Sequence, residues 1–351
     1  MNTKFKQLID TFDQKKIDAL LITKDVNIRY LTGFAACESW LLVCRKKVFY
    51  ITDFRYVLEA RQGLAGIASV KQYKKSIYAG LFDLVEKGGV KRLGFDENCF
   101  TVAQYKVLKK MCSSGVKLCA ANNCVEVFRE TKDIQEVKHI REALKIHGQA
   151  YNMLKKVVRP GLSERDILLK LENFVKAKGA GFSFDTIIAS GPNSCYPHAH
   201  VTDRKLRRDE PVLIDMGIDL NGYKSDLTRM FFLGRMPQLV RQVNDHVDQS
   251  QRRAIAKIKA GVPVADVDRA ARSYLAKHRL AKYFGHALGH GVGLDIHEDP
   301  RLSQKSPAFL KSGMVITVEP AVYIPEQFGI RIEDMVLVTE NGCEILSDNI
   351  H

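Results

Sequence analysis

Four carboxylates interrupt strand-like segments in the second half of the chain. They are Asp215 in LIDMG, Asp226 in SDLTR, Glu319 in VEP and Glu333 in RIED. Acidic side chains that converge repel one another unless a cation lies between them. The first question about this sequence is therefore whether its folding brings these four side chains together.

The first two carboxylates lie on strand-like runs separated by Asn221-Gly222, a dipeptide that favours a two-residue type I′ hairpin turn. With that turn, Gly217 faces Asp226, and Asp215 lies on the same face two residues further along. Diagonal neighbours on two strands lie ~7–8 Å apart, so their carboxylates can reach metal ions held about 3.5–4 Å from each other. On this segment alone, a pair of solvent-facing acids on an ordinary hairpin is an equal alternative.

The two glutamates follow the same alternation of faces along strand-like sequence. In MVITVEP, Thr317 and Glu319 share one face, and in GIRIEDMVLV, Arg331 and Glu333 share one face of a following strand. Each glutamate is therefore predicted to lie on the same strand face as another polar residue, Thr317 for Glu319 and Arg331 for Glu333.

A glycine-rich run, FGHALGHGVGLDIHEDP, contributes His286, His290 and His297. Glycine permits a close approach of the backbone to a bound group, whereas a lone histidine is usually structural. One imidazole added to four carboxylates gives an oxygen-rich donor set that suits Mn²⁺ or Co²⁺, with Zn²⁺ as an alternative, and not a thiolate zinc site. The sequence therefore predicts a divalent-metal centre.

The elements that must position these residues fall into two predicted domains, residues 1–125 and 126–351, because the chain of 351 residues exceeds the usual span of one core. The first domain alternates helical and strand patterns and is predicted to be α/β. Its predicted helices cover residues 5–14, 77–86 and 102–111, and its predicted strands cover residues 18–23, 40–43, 48–52, 92–95 and 116–118.

The second domain begins with a long amphipathic helix that contains Ile134, Ile140 and Leu154 at helical spacing. Ser163 is predicted to cap a second helix, after the break at Pro160-Gly161. Strand-rich sequence is predicted to dominate from residue 182 to residue 338.

Composition excludes several classes of protein. The longest apolar runs are far too short to span a membrane, and the N-terminal residues lack an apolar export segment, which predicts a cytoplasmic protein. The 8 cysteines are scattered, as expected for reduced thiols. The net charge of +14 is spread along the chain, which favours a solvated basic surface and not nucleic-acid binding.

In their order and chemistry, these motifs resemble the creatinase/aminopeptidase P/prolidase branch of the metallopeptidases, which share the pita-bread fold with methionine aminopeptidase. NIRYLTGF (27–34) and ITDFRY (51–56) also resemble the smaller domain of the prolidase-like members. The resemblance covers the entire chain. It implies an α/β, creatinase-like N-terminal domain followed by an α+β pita-bread catalytic domain.

The resemblance also implies the ligand set for two divalent ions. Asp226 and Glu333 would bridge the ions, Asp215 would complete one site, and His290 with Glu319 would complete the other. His198 in SGPNSCYPHAH and His297 in DIHE would flank the metals as groups that bind substrate and manage protons, with Glu319 sharing the proton relay.

The implied activity is hydrolysis of the bond before proline. Arg301 occupies the place of a basic residue in archaeal-type prolidases and would bind the carboxylate of an Xaa-Pro dipeptide, although an ordinary surface arginine is an equal alternative. Arg331 would support the ligands and the substrate. The other candidates are an aminopeptidase P that acts on longer peptides, a creatinase-like amidinohydrolase, whose members lack the metal set, and a non-catalytic binding protein.

Members of this branch usually form homodimers in which the N-terminal domain of one subunit borders the active site of the other. The resemblance therefore predicts a homodimer that takes proline-containing peptides as substrates.

Overall fold

The computed structural model describes residues 2–350 and contains two compact units, the first ending at Arg129 and the second beginning at Glu130. The helices of the first unit are α1 (Thr3–Asp10), α2 (Phe12–Lys15), α3 (Asp25–Thr32), α4 (Val57–Gly63), α5 (Ile77–Lys87), α6 (Val102–Met111) and α7 (Glu126–Arg129). Its strands are β1 (Ala19–Ile22), β2 (Trp40–Cys44), β3 (Val48–Thr52), β4 (Ser69–Gln72), β5 (Arg92–Phe95) and β6 (Lys117–Ala120).

The six strands of the first unit form one mixed sheet in the order β4-β3-β2-β1-β5-β6. Strands β1, β5 and β6 run parallel, and β2 pairs antiparallel with both β1 and β3. One face of this sheet packs on the buried side chains of Leu81 and Val85 from α5 and Leu108 from α6. The predicted α/β architecture of this part of the chain is confirmed.

The second unit contains four long helices and a set of short antiparallel strands within the described residues. Its helices are α8 (Ile134–Val157), α9 (Glu164–Ala177), α10 (Gln238–Ile255) and α11 (Val264–Lys277). Its strands are β7 (Gly181–Phe182), β8 (Ile187–Ser190), β9 (Glu210–Met216), β10 (Ile218–Leu220), β11 (Tyr223–Lys224), β12 (Leu227–Leu233), β13 (Gly289–Gly291), β14 (Glu298–Leu302), β15 (Val315–Val318), β16 (Ala321–Ile324), β17 (Phe328–Arg331), β18 (Asp334–Val338) and β19 (Cys343–Ile345).

These strands form sheets in the orders β12-β9-β8, β11-β10-β7, β14-β13-β15-β18-β19 and β16-β17. Two apolar cores support them. Helices α8 and α9 cover the core that includes Ile214 and Val315, and helices α10 and α11 cover the core that includes Ile316 and Val336. Neighbouring residues of β15 thus face opposite cores, as the period of two in a strand requires.

Two helix starts in the second unit follow from side-chain capping. The Asp133 carboxylate accepts a hydrogen bond from the amide of Glu136, and the Glu136 side chain accepts one in return from the amide of Asp133. Ser163 caps α9 through the same reciprocal arrangement with Asp166, so the predicted cap is confirmed.

The structure corrects three predictions of secondary structure. Helices α10 and α11 lie within the stretch predicted to be dominated by strands. The predicted helix over residues 5–14 is two helices that are separated at Thr11. Arg331 ends one strand and Glu333 precedes the next, so the two residues do not share a single strand.

Candidate metal centre

The five predicted ligands come from strands of three different sheets or from the residues next to those strands. Asp215 lies in β9, Asp226 immediately precedes β12, His290 is the central residue of β13, Glu319 follows β15, and Glu333 lies between β17 and β18.

The hairpin turn sets the first pair in register. Asn221 has φ 52° and Gly222 has φ 84°, the two positive values that a type I′ turn requires. Across the hairpin, Leu220 pairs with Tyr223 and Thr228 pairs with Asp215, so one register continues from the turn to the carboxylates. The predicted turn and register are confirmed.

Three of the predicted ligands converge closely. One ligand atom each from Asp226, His290 and Glu333 lies within 4.8 Å of the other two. His290 Nε2 lies 3.6 Å from Asp226 Oδ2 and 3.5 Å from Glu319 Oε1. Separations of this size are too long for direct hydrogen bonds and leave room for an ion between the donors.

Burial raises the proton affinity of this carboxylate cluster. Burial and the charge of Glu333 raise the pKa of Asp226 well above its usual range. Burial, then the charges of Glu319 and Asp215, raises the pKa of Glu333 in the same way, and burial raises the pKa of Glu319 to about 8. Because Asp215 and Asp226 are only 8% and 5% exposed, the alternative of solvent-facing acids on this hairpin is wrong.

The donor set fits a divalent cation. Asp215 Oδ1 is buried and has no hydrogen-bond partner among the described residues, although its second oxygen accepts a hydrogen bond from Arg331. A buried carboxylate oxygen without a partner is costly unless a cation binds it. Four carboxylates and one imidazole around that oxygen are the ligand types that Mn²⁺, Co²⁺ and Zn²⁺ accept.

The imidazole of His290 is oriented for metal binding. Its Nδ1 lies 3.0 Å from the Gly291 carbonyl oxygen and can act only as a donor there, which leaves the Nε2 lone pair directed at the carboxylates. Burial lowers the pKa of His290 to about 4, so the ring is neutral at physiological pH. A neutral imidazole is the form that binds a metal.

Thr228 links two of the functional residues. Its hydroxyl donates to Glu333 Oε2 at 2.9 Å and accepts from Arg331 Nε at 3.0 Å. Arg331 also donates to Asp215 and to the hydroxyl of Tyr323. This buried arginine therefore orients carboxylates from two sheets, which is the supporting part predicted for it.

Comparisons with known proteins agree with this geometry. The sequence profile of metallopeptidase family M24 matches residues 138–340, and that of the creatinase/prolidase N-terminal domain matches residues 4–131. The Xaa-Pro dipeptidase of Pyrococcus horikoshii is 33% identical over 352 residues, which cover 99% of this chain and 97% of that protein. The chain belongs to metallopeptidase family M24.

Two solved structures resemble this M24 peptidase along nearly its full length. The Xaa-Pro dipeptidase from Bacillus anthracis has a TM-score of 0.94 and 34% identity, covering 98% of this chain and 97% of that chain. The X-Pro aminopeptidase from Thermotoga maritima MSB8 has a TM-score of 0.91 and 31% identity, with the same coverage of 98% and 97%. The predicted fold, a creatinase-like α/β domain followed by a pita-bread domain, is confirmed.

Histidines surround the metal-binding carboxylates of the M24 peptidase. The rings of His290 and His297 lie 4.4 Å apart at an angle of 78°. The side chains of His297 and His198 both reach solvent, and partial burial, followed by the charge of His198 and then that of Arg301, lowers the pKa of His297. The two predicted substrate histidines therefore lie near each other at the open side of the cluster.

Sequence reasoning gave no role to His286 or Tyr323. His286 Nδ1 lies 4.0 Å from Glu319 Oε2, and its Nε2 lies 3.3 Å from the Tyr323 hydroxyl. Burial lowers the pKa of His286 to about 4 and raises that of Tyr323 to about 12, so both are neutral near pH 7. His286 could have been found from its position four residues before His290, whereas nothing in the sequence indicated Tyr323.

The remaining predicted residue, Arg301, lies exposed on β14.

None of the helices in residues 2–350 has the length and apolar character needed to cross a membrane. The 8 cysteines of the peptidase are all free thiols.

Proposed function

We propose that this M24 peptidase hydrolyses the Xaa-Pro bond of dipeptides at a centre of two divalent ions, Mn²⁺ or Co²⁺, with Zn²⁺ as the alternative. The cluster of three buried carboxylates, the partly buried Glu319 and the neutral His290 carries the proposal. The names of similar proteins, Xaa-Pro dipeptidase above all, supply the substrate class.

In this proposal Asp226 and Glu333 would contribute to holding both ions, Asp215 would help to hold one, and His290 with Glu319 would help to hold the other. When bound, the ions lower the pKa of a water molecule toward neutrality and polarise the scissile carbonyl. Arg331 and Thr228 keep the carboxylates in place through the hydrogen bonds described above.

Side chains at the open side would bind the substrate and move the proton. His297 would donate its N–H to the oxygen that becomes negatively charged as the carbonyl is attacked. Glu319, with His198 or the neighbouring His286, would carry a proton to the departing proline nitrogen, which cannot leave without it.

Arg301 is the proposed reason for a dipeptide preference. The charge of Arg301 acts on the pKa of His297, which supports a location on the same side of the cluster as that histidine. A guanidinium can bind the free carboxylate of a C-terminal proline. In a longer peptide the free carboxylate lies further from the scissile bond. The second candidate, an Xaa-Pro aminopeptidase, is favoured by the likeness to the Thermotoga maritima structure.

The deciding experiment measures release of proline from Met-Pro, and of methionine from Met-Pro-Gly, by metal-stripped protein and by protein reloaded with Mn²⁺, Co²⁺ or Zn²⁺. Metal-dependent cleavage of the dipeptide alone supports the proposal, and efficient cleavage of the tripeptide supports the aminopeptidase. Arg301→Ala should impair only dipeptide cleavage, whereas Arg241→Ala, which removes another exposed arginine, should change neither. Equal loss on both substrates would contradict Arg301 as the reason for a dipeptide preference.

The proposal also includes a cytoplasmic location, a homodimer, and a domain boundary near residue 125 of the sequence. Exposed apolar side chains in the first unit support the dimer, since Phe54 is 76% exposed and Leu58 is 69% exposed. Such residues gain most from being covered by a second copy.

A further inference from the structure

The loop of residues 191–201 follows strand β8 and carries His198. Much of it is open to solvent, and Tyr196 is 61% exposed. Holding each residue of such a loop in one conformation costs backbone entropy. An imidazole that must meet a substrate therefore needs anchors elsewhere in the loop.

A single buried carboxylate anchors both ends of this loop. Glu164, in the first turn of α9, is 0% exposed. Its Oε1 accepts hydrogen bonds from the Ser190 amide at 2.7 Å and the Ser190 hydroxyl at 2.8 Å. Its Oε2 accepts from the Thr202 amide at 3.0 Å, the Thr202 hydroxyl at 2.6 Å and Asn193 Nδ2 at 2.9 Å.

Five donors to one carboxylate form a strong junction. Hydrogen bonds to a charged group are roughly twice as strong as those between neutral groups. Ser190 immediately precedes the loop and Thr202 immediately follows it, so Glu164 closes the loop at its base. Arg204 adds a hydrogen bond of 2.6 Å to the Ser190 hydroxyl.

The opposite side of the loop is tied to the metal centre. Ser194 Oγ accepts from the amide of Gly329 at 2.8 Å, and the Pro197 carbonyl accepts from Arg331 at 3.2 Å. A Cβ at Gly329 would lie 2.1 Å from the Ser194 carbonyl oxygen, so only glycine allows this approach. The residue before His198 thus contacts the arginine that orients Asp215.

We infer that Glu164 is a positioning residue for His198, holding the base of its loop while Arg331 holds the segment beside the imidazole. This inference rests on the proposed function, in which His198 binds the substrate. Glu164→Gln would replace one carboxylate oxygen by an NH₂ group, which is a hydrogen-bond donor. This donor would face the two or three donors whose hydrogen bonds the oxygen accepts in the wild type. The loop would then lose a fixed base without any loss of side-chain volume.

A double-mutant cycle on Met-Pro cleavage by the metal-loaded protein tests the inference. Glu164→Gln should lower kcat/KM about 10- to 100-fold. In a His198→Ala background the same change should cost less than about twofold, because the imidazole it positions is gone. An equal loss in both backgrounds would mean a general structural role and would overturn the inference.

Hydrogen exchange by mass spectrometry gives a readout that does not depend on activity. Amides of residues 190–202 should exchange at least about tenfold faster in Glu164→Gln than in the wild type, and unchanged exchange would overturn the inference. Asp166→Asn is the matched control, since the hydrogen bonds of this carboxylate in the same turn of α9 go to Ser163 and not to the loop. It should leave both the loop amides and the cycle unaffected.

Thr202→Val keeps the test decisive if Glu164→Gln does not fold, because of the bonds to Glu164 it removes only the 2.6 Å hydroxyl bond, together with a 3.2 Å bond that the hydroxyl accepts from the Arg204 amide. It should speed loop exchange and couple to His198→Ala in the same direction, and the absence of both effects would count against the inference. If the wild type cleaves no Xaa-Pro substrate while Glu164→Gln still loosens the loop, the proposed function has failed and the anchoring has not.

Discussion

At the scale of single residues, the metal centre combines side chains that disfavour one another without a cation. Burial and the like charges of neighbouring carboxylates raise the pKa values of Asp226, Glu333 and Glu319, that of Glu319 to about 8. His290, with a pKa near 4, contributes no positive charge to offset them. The free energy of unfolding of the metal-free protein should therefore depend on pH in a defined way.

Between pH 6.5 and 8, the metal-free protein should lose stability as pH rises. Folded Glu319 keeps its proton up to about pH 8, whereas the unfolded residue has already lost it, so the folded state binds the extra proton. His286 and His290 have folded pKa values near 4 and oppose this trend only below about pH 6.5. The expected loss is on the order of 2 kcal/mol for one proton. Thermal unfolding with a chelator at both pH values measures it.

The metal-loaded protein is the control for this pH dependence, because bound cations keep the carboxylates ionised in the folded state. Its unfolding temperature should change less between pH 6.5 and 8 than that of the stripped protein. Parallel curves for the two forms would show that the cluster does not control the dependence.

Glu319→Ala should abolish turnover, with kcat falling at least about 10²-fold, because the residue is assigned both a metal contact and a share of the proton transfer. Steady-state cleavage of Met-Pro and the bound metal content should be measured together. Glu326→Ala, which removes an exposed glutamate of the same unit, should leave both unchanged. Retained turnover in Glu319→Ala would rule out this assignment.

At the scale of elements, the features that depend only on residues near in sequence were predicted correctly. The Asn221-Gly222 turn was sufficient to set the hairpin register as far as Asp215, because a two-residue turn leaves only one pairing. Strand β5 (Arg92–Phe95) and helix α6 (Val102–Met111) have the predicted bounds, since each ends where its apolar pattern ends. The glutamate Glu333 was predicted as a candidate ligand from its motif alone.

Features that depend on distant partners were not predictable. Helix α10 was missed because its buried face includes Ser250 and Gln251, which interrupt the apolar stripe. Gln251 is tolerated there only because it donates to carbonyl oxygens of Val318 and Ile332, far along the chain. Thr228 likewise gains its role from a glutamate in another sheet.

Two ion pairs near the start of the second unit predict losses of stability of different size. Lys132 Nζ lies 2.9 Å from Glu298 with both side chains buried, at 1% and 6% exposure. Lys311 Nζ lies 2.8 Å from Glu130, but the lysine is 59% exposed. Lys132→Ala should lower the free energy of unfolding by about 3–5 kcal/mol, because it removes one partner of a buried pair.

Lys311→Ala is the matched control and should cost less than about 1 kcal/mol, because exposed pairs are screened by water. Urea denaturation of both variants in the metal-loaded form gives the comparison. Similar losses for the two lysines would show that burial does not set the strength of these pairs.

At the scale of the whole molecule, the proposed homodimer gives the exposed apolar side chains of the first unit a role, because they would be covered in its interface. Phe54 is 76% exposed, although burying a phenylalanine contributes about 1.5–3 kcal/mol. In a twofold-symmetric interface each substitution occurs twice, so its effect on association is doubled. One charged substitution at Phe54 should therefore separate the subunits.

The wild type should have a mass near twice 39.6 kDa in light scattering, and Phe54→Glu should shift it toward the mass of one chain at micromolar concentration. Val102→Glu is the control, since Val102 is 73% exposed in the same unit and begins helix α6, where an acidic residue is favourable. It should leave the mass unchanged. A single-chain mass for the wild type would exclude the dimer, and a dimeric Phe54→Glu would locate the interface elsewhere on the surface.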